Sequence, residues 1–145
     1  MAMREILFRG KLKSGKWAEG NLTVTKTGVF IITPDETPCG CYGAVQPDTV
    51  GQYTGLSDKA RTKAFEHDCI RQVHGDAIGI IRYGEYNNAF DGDKLPHHVG
   101  FYVDWVSGED KDFLRKDLCY WLNCVEIIGN IYDNPELLKG GAEGE

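Results

Sequence analysis

Short runs of alternating hydrophobic and polar residues cover most of the chain, and glycine, proline or aspartate separates one run from the next. The pattern is clearest in AIGIIRYGEYNNAF (77–90) and HHVGFYVDWV (97–106), where aromatic and β-branched residues alternate with polar ones. The sequence Asp91-Gly92-Asp93 lies between them as a turn. A period of two is that of a β-strand, whose successive side chains point to opposite faces. The sequence therefore predicts a mainly β chain of short strands.

A β-hairpin is predicted near the N-terminus. The stretch REILFRGKLKSGKWAEGNLTVT (4–25) alternates in part and contains Ser14-Gly15, where a two-residue turn fits. Such a turn places Leu12 opposite Trp17 across the hairpin. The stretch GVFIIT follows as a third strand, which ends at Pro34 because proline cannot donate a hydrogen bond to a ladder.

Near the C-terminus, hydrophobic residues recur at spacings of three and four, as they do on one face of a helix. They are Leu114, Leu118, Trp121, Leu122 and Val125. Ser107 precedes them with Asp110 three residues later, which is a capping-box position. The sequence therefore predicts one short amphipathic helix near 109–122.

The stretch PDETPCGCYGAVQPD (34–48) contains three prolines and two glycines and marks the internal boundary. We predict an N-terminal β subdomain over 1–46, a barrel-like β subdomain with the helix over 47–138, and a disordered tail over 139–145. Phe65 is followed by Glu, His and Asp and then by apolar alternation, which is typical of the start of an SH3-like barrel. The expected fold is β-rich α+β, with an N-terminal hairpin or small sheet packed on an SH3-like barrel-like domain.

Composition supports this class and indicates a compartment. Eighteen glycines are about 12% of the chain, against an average of about 7%, and glycine favours turns and bulges over helix interiors. No apolar run approaches the roughly 20 residues that span a bilayer, and no basic-then-apolar leader is present. The five cysteines have no framework spacing and are expected to be free thiols. We expect a cytoplasmic protein without a membrane partner.

Charge is unevenly distributed, although the net charge is −6. Residues 1–26 contain six basic and two acidic side chains, whereas the other 119 residues contain ten basic and twenty acidic ones. A basic hairpin on an acidic body can bind a polyanion or an acidic neighbouring subunit, although the net charge argues against general affinity for nucleic acid. The candidate contact residues are Arg4, Arg9, Lys11, Lys13 and Lys16.

Cys39 and Cys41 form the most suggestive candidate for metal binding. Two thiolates can provide half of a tetrahedral zinc site, but the usual spacing leaves two to four residues between them. The remaining ligands would have to come from His67, Cys69, His97 or His98, which no pattern brings together. The alternative is a glycine-flanked turn with two small, partly buried thiols. We therefore expect no cofactor and keep the cysteines as weak metal candidates.

The other titratable clusters also favour structural roles. The run Glu66-His67-Asp68-Cys69 contains a nucleophile, a base and carboxylates, but consecutive residues on a strand point apart rather than forming a triad. The Asp91-Gly92-Asp93 turn lacks the further ligands of a calcium loop. The sequence also contains no phosphate-binding glycine loop. We expect no catalytic residues.

Aromatic residues crowd the two predicted strands of 77–106. They are Tyr83, Tyr86, Phe90, Phe101, Tyr102 and Trp105. If exposed, such rings can stack on single-stranded bases. If one face is buried, they form the core of the domain, and an exposed remainder is a possible subunit interface.

Several motifs together resemble the YopX family, whose members are encoded mostly in prophages and phages of bacteria. They are REILFRGK, the Trp17 and Gly20 of KWAEGNL, TVGQYTGLSD, FEHDCI and VEIIGNIYDNPELL. The resemblance covers nearly the whole chain except roughly 75–122. It departs from the family pattern D-K-N-G-K-x-I-F-E-G-D-I-V at two turn positions, where Ala60-Arg61 replaces Asn-Gly and His67 replaces Gly. The resemblance implies a phage or mobile-element product in the cytoplasm of a bacterial host cell, and it implies no mechanism.

Three functions follow as hypotheses of different kinds. The first is a non-enzymatic binding or assembly protein that acts as a homo-oligomer or with an unknown protein partner. The second is a nucleic-acid-binding protein that uses the basic hairpin and the aromatic strands. The third is a metal-dependent enzyme at Cys39 and Cys41.

Overall fold

A computed structural model describes residues 4–33, 41–92 and 98–138. The chain divides into two compact units, the first over 1–55 and the second over 56–145. Both are built from antiparallel strands, and the described residues contain one α-helix of a single turn. The predicted mainly β class with one short helix is therefore confirmed.

The first unit is a sheet with the strand order β4-β3-β2-β1-β5. Its strands are β1 (Phe8–Lys11), β2 (Trp17–Thr25), β3 (Gly28–Thr33), β4 (Cys41–Ala44) and β5 (Gly51–Ser57), with a 3-10 helix at Pro47–Thr49. Alternation along β1 and β2 places polar side chains on one face of the hairpin and explains why this segment forms strands.

The predicted register of the first hairpin is wrong by one residue. Trp17 lies opposite Lys11, not Leu12. The loop is longer than two residues, because the Leu12 N–H donates to the Lys16 carbonyl at 2.8 Å and the Gly15 N–H donates to the Leu12 carbonyl at 2.9 Å. Gly15 adopts a φ of +96°, the left-handed conformation that ends a three-residue hairpin loop. A shift of one residue moves Leu12 to the opposite face from Trp17.

The second unit contains a four-stranded antiparallel sheet with the order β10-β7-β8-β9. Its strands are β7 (Asp68–Gln72), β8 (Ile78–Tyr86), β9 (His98–Ser107) and β10 (Val125–Asn130), and β6 (Lys63–Phe65) pairs with the end of β5. The core lies against the middle of this sheet. Its fully buried side chains include Ile70, Ile81, Val103 and Val125.

The predicted helix near 109–122 is much shorter than expected. A 3-10 helix covers Lys111–Phe113, and α1 covers only Leu118–Trp121. The intervening segment runs along β9 instead, because the Val103 N–H donates to the Lys116 carbonyl at 2.8 Å. Pairing with the sheet edge therefore replaces the middle of the predicted helix, although Leu118 is buried as its periodicity predicted.

Two turns in the second unit hold non-glycine residues in a left-handed conformation. Arg61 has a φ of 68° and His67 a φ of 78°. These are the two positions at which the chain departs from the glycines of the YopX pattern. The backbone therefore keeps a glycine-type conformation at both turns, at a cost of about 1–2 kcal/mol for each side chain.

The predicted tail over 139–145 lies outside the described residues. The described strands of the second unit form an open sheet order, and closure into an SH3-like barrel stays a prediction.

Candidate functional site

The basic residues predicted to contact a polyanion lie on the first hairpin. The Arg9 guanidinium is 4.8 Å from the centre of the Trp17 ring, and the Lys11 ammonium is 5.8 Å from it. Lys13 and Lys16 are exposed in the loop that joins β1 to β2. The structure thus brings two cations to one indole and places two more at the adjacent turn. Arg4 is exposed ahead of β1.

The candidate metal ligands give no site in the part of the chain that the structure describes. Cys39 and His97 lie outside the described residues, and Cys41 begins β4. Among residues 4–33, 41–92 and 98–138, no group of three or more His, Cys, Asp or Glu side chains is arranged to hold a metal ion. The metal hypothesis for Cys39 and Cys41 stays a prediction.

The run Glu66-His67-Asp68-Cys69 forms the turn into β7. Asp68 is only 2% exposed, and its carboxylate accepts a hydrogen bond from the Phe65 N–H at 2.8 Å. Burial, with a further contribution from Asp68, raises the pKa of the Cys69 thiol to about 11. A thiol with this pKa is almost entirely protonated at neutral pH and is a poor nucleophile. These side chains therefore support the turn.

The predicted aromatic cluster is divided between the two faces of β8 and β9. Trp105 is buried in the core. Tyr83 contacts Phe101 edge to face, with ring centres 5.1 Å apart. Tyr86 and Tyr102 stack on each other on the opposite face, with ring centres 5.0 Å apart. The expectation that one face builds the core thus holds for only part of the cluster.

We define the β8–β9 arm as residues 82–86 and 98–102, the paired ends of these strands. The row of side chains on the core side passes from the buried pair Ile81 and Val103 to Tyr83 and Phe101 and then to Val99, which lies opposite the exposed Glu85. Tyr83 is 58% exposed and Val99 is 67% exposed. The apolar face of the sheet therefore continues past the residues that cover it.

The outer edge of β9 is bridged to Asp117 at Tyr102, and it is open from His98 to Gly100 among the described residues. The Val103 N–H points away from β8, because it donates to the Lys116 carbonyl. Backbone direction alternates along a strand, so the N–H groups of Phe101 and Val99 point to the same outer side. The described residues place no further strand against this part of β9.

A polar cluster lies on the other face of the arm, centred on Asp117. Its carboxylate accepts hydrogen bonds from the Tyr86 hydroxyl, from Arg115 Nε at 2.7 Å and from Asn88 Nδ2 at 3.4 Å. Burial opposes ionisation of Asp117, but the hydrogen bonds from Tyr86 and Arg115 outweigh it and lower its pKa. Burial and the bond to Asp117 raise the pKa of Tyr86. The carboxylate is thus charged and the phenol is neutral at physiological pH.

His98 and Asp91 extend this cluster. Their side chains are 2.8 Å apart, and the imidazole of His98 stacks on Tyr86 with ring centres 5.1 Å apart. A hydrogen bond from the Asn88 N–H, assisted by His98, lowers the pKa of Asp91. Asp91 therefore has a structural role in the turn, as its sequence pattern predicted.

Arg115 was not identified from the sequence. Its carbonyl oxygen accepts hydrogen bonds from the indole N–H groups of Trp105 at 3.0 Å and Trp121 at 2.6 Å. Its guanidinium lies 5.2 Å from the centre of the Phe90 ring and 5.1 Å from that of Tyr120. Phe90 is 61% exposed and Tyr120 is 57% exposed. Arg115 is thus held by aromatic groups at both its backbone and its side chain.

A surface depression of about 470 Å³ opens beside this arginine. The side chains around it combine aromatic, charged and thiol groups. They include Tyr86, Phe101, Arg115, Asp117, Cys119 and Tyr120. The volume lies in the range of about 300–1,000 Å³ that is usual for small-molecule sites.

Comparison with known families gives one result. The model of the YopX protein family matches residues 8–139, which is most of the chain. The chain therefore belongs to the YopX family, and this membership suggests a phage-type protein of unknown function. A search of curated proteins finds no match. Within the described residues, no helix is both long enough and apolar enough to cross a membrane.

Proposed function

We propose that this member of the YopX family is a non-enzymatic assembly protein that works as a homo-oligomer in the cytoplasm of a bacterial host. The observation that carries the proposal is the exposed apolar row of the β8–β9 arm. Tyr83 and Val99 continue a core-facing row of side chains and are nevertheless more than half exposed. The occupant of this face in the proposal is a second copy of the arm.

Two copies related by a two-fold axis present identical rows to each other, as a symmetric dimer requires. Full burial of a valine- or phenylalanine-sized side chain contributes about 1.5–3 kcal/mol. The outward N–H and carbonyl groups of Val99 are available to pair with the same groups of the second copy. Apolar burial and edge pairing therefore both act at Val99 on β9.

Sedimentation velocity and native mass spectrometry test this proposal. We expect the mass of the wild-type assembly to be a whole-number multiple of the mass of one chain. The double variant Tyr83→Ser, Val99→Ser is expected to dissociate into single chains. Loss of both apolar side chains should weaken association more than tenfold, since about 1.4 kcal/mol corresponds to each factor of ten. The control is Val24→Ser, which removes a side chain that is 69% exposed on β2. A wild-type chain that stays monomeric at all concentrations would refute the proposal.

A second candidate function is binding of single-stranded nucleic acid by the first hairpin. The specific observation is the contact of Arg9 and Lys11 with the face of Trp17, because cations beside an aromatic ring suit phosphates and stacked bases together. The logarithm of the affinity for an oligonucleotide should fall linearly with the logarithm of the salt concentration. Arg9→Gln with Lys11→Gln should reduce that slope by about two. The control Lys26→Gln changes an exposed cation in the next turn of the same unit.

A further inference from the structure

Arg115 makes contacts through both its backbone and its side chain, although the side chain is 42% exposed. Two indoles fix its carbonyl oxygen, and Asp117 binds its Nε atom. The centres of the Phe90 and Tyr120 rings lie 5.2 Å and 5.1 Å from its guanidinium carbon. Its terminal Nη atoms donate no hydrogen bond to any described residue. The outer fork of the guanidinium is therefore ordered in advance and still has its donors available.

An arginine in this state is suited to bind an oxyanion. The planar fork matches the two oxygens of a phosphate or carboxylate, and charge-assisted bidentate pairs are strong and directional. Because the side chain is already held, less conformational entropy is lost when an anion binds. The carboxylate of Asp117 is shared among Tyr86, Asn88 and Arg115, so its acceptor oxygens are already engaged within the cluster.

The aromatic side chains around Arg115 favour a ligand that also contains a flat ring. Tyr120 and Phe90 are each more than half exposed and contact the same guanidinium. Aromatic side chains beside a cation offer stacking surfaces to a nucleobase, and each stacked base contributes measurably to affinity. The depression of about 470 Å³ has room for such a ligand next to Arg115.

We propose that the depression beside Arg115 binds a mononucleotide, with the phosphate on the Nη atoms of Arg115 and the base against the ring of Tyr120. The residues tested here are distinct from those tested for self-association, since this site uses Arg115 and Tyr120 rather than Tyr83 and Val99, while Phe101 borders both.

The three tryptophans of the chain provide local reporters for nuclear magnetic resonance. The indole N–H groups of Trp105 and Trp121 both donate to the Arg115 carbonyl, whereas Trp17 is in the first unit. On titration with AMP we expect the Trp105 and Trp121 indole signals to shift together, with the Trp17 signal unchanged. Inorganic phosphate and adenosine, titrated separately, should each bind at least tenfold more weakly than AMP.

The variant Arg115→Lys keeps the charge but loses the fork and the Nε donor, so AMP affinity should fall at least tenfold. Tyr120→Leu should remove most of the difference between AMP and phosphate. Arg71→Lys is the control, because Arg71 is an exposed arginine paired with Glu126. Absence of any shift at Trp105 and Trp121, equal affinity for AMP and phosphate, or a shift confined to Trp17 would each overturn the assignment.

Discussion

The carboxylate of Asp58 accepts a hydrogen bond from the backbone N–H of Ile127 at 3.1 Å, across 69 positions of the chain. Its other oxygen accepts from the N–H groups of Ala60 and Thr62, both at 2.9 Å. Asp58 is 6% exposed and therefore holds the β5–β6 turn against the last strand from inside the protein. The aspartate of the family motif TVGQYTGLSD thus has a structural explanation.

Substitution of Asp58 by alanine should be strongly destabilising. Three part-buried backbone N–H groups lose their acceptor, and an unsatisfied donor costs about 1–3 kcal/mol where water cannot replace that acceptor. We expect urea unfolding to show a loss of about 3 kcal/mol or more. Asp112→Ala is the matched control, since that carboxylate is 79% exposed, and it should change the free energy of unfolding by less than about 0.5 kcal/mol. An equal effect of both variants would contradict the role of Asp58.

Substitution of Arg61 by glycine should stabilise the protein. Glycine has no Cβ and adopts a φ of 68° without the steric cost that arginine bears, although it also loses more chain entropy on folding. The expected net gain is about 0.5–1 kcal/mol in the free energy of unfolding. Arg61→Ala keeps the Cβ and should give no gain. If alanine stabilises as much as glycine, the effect belongs to the arginine side chain and not to the backbone.

His67→Gly should give a smaller gain than Arg61→Gly in the same unfolding experiment. The left-handed backbone is relieved in both variants, but the imidazole of His67 also packs edge to face on Tyr132, with ring centres 5.4 Å apart. Loss of that aromatic contact removes about 0.5–1.5 kcal/mol and offsets the relief. A gain for His67→Gly larger than that for Arg61→Gly would show that the contact is not stabilising.

Gly129→Ala should disturb the turn that follows β10. An added Cβ would lie 2.2 Å from the side-chain oxygen of Asn134, which accepts a hydrogen bond from the Asn130 N–H. Such crowding costs about 1–3 kcal/mol. Gly100→Ala is a close control, because Gly100 has the same φ of +156° and no neighbour within 4 Å of an added Cβ. Thermal unfolding of both variants separates the cost of the contact from the cost of the backbone conformation, and Gly129→Ala should lower the unfolding temperature more than Gly100→Ala does.

Ionisation of Asp117 predicts a loss of stability in acid. Its pKa is lower in the folded state than in the unfolded chain, so its contribution is fully present above the unfolded value and disappears as the pH falls through the folded one. The affected window lies below about pH 4. Urea unfolding of the wild type and of Asp117→Asn between pH 7 and pH 2.5 measures this contribution. The difference in stability between the two proteins should narrow at the acid end, and a constant difference would contradict the assignment.

Strand content was predictable because alternation is a local property. The segments that became β8 and β9 showed it most clearly, and their turn contains Asp91 as expected. The register of the first hairpin was not predictable from Ser14-Gly15, since a two-residue and a three-residue loop use similar residue types. Because the loop has one residue more than predicted, Lys11 rather than Leu12 lies opposite Trp17.

The candidate site was hidden by the helical periodicity of 109–122. On a helix, residues two apart do not face each other, so Arg115 and Asp117 gave no sign of pairing. In the extended segment they lie on the same side and form an ion pair at 2.7 Å. That segment is extended because Lys116 pairs with β9, a contact between distant parts of the sequence that no local pattern reveals.

The two indoles that fix position 115 bind its carbonyl oxygen, an atom that every amino acid possesses. A mutation at this position therefore changes which side chain is presented to the depression while both anchoring bonds remain. The backbone anchor of this position is thereby independent of the side chain, whose own bond to Asp117 a substitution would remove. A single codon change at such a position can therefore alter the chemistry of the depression without removing the two indole bonds beneath it.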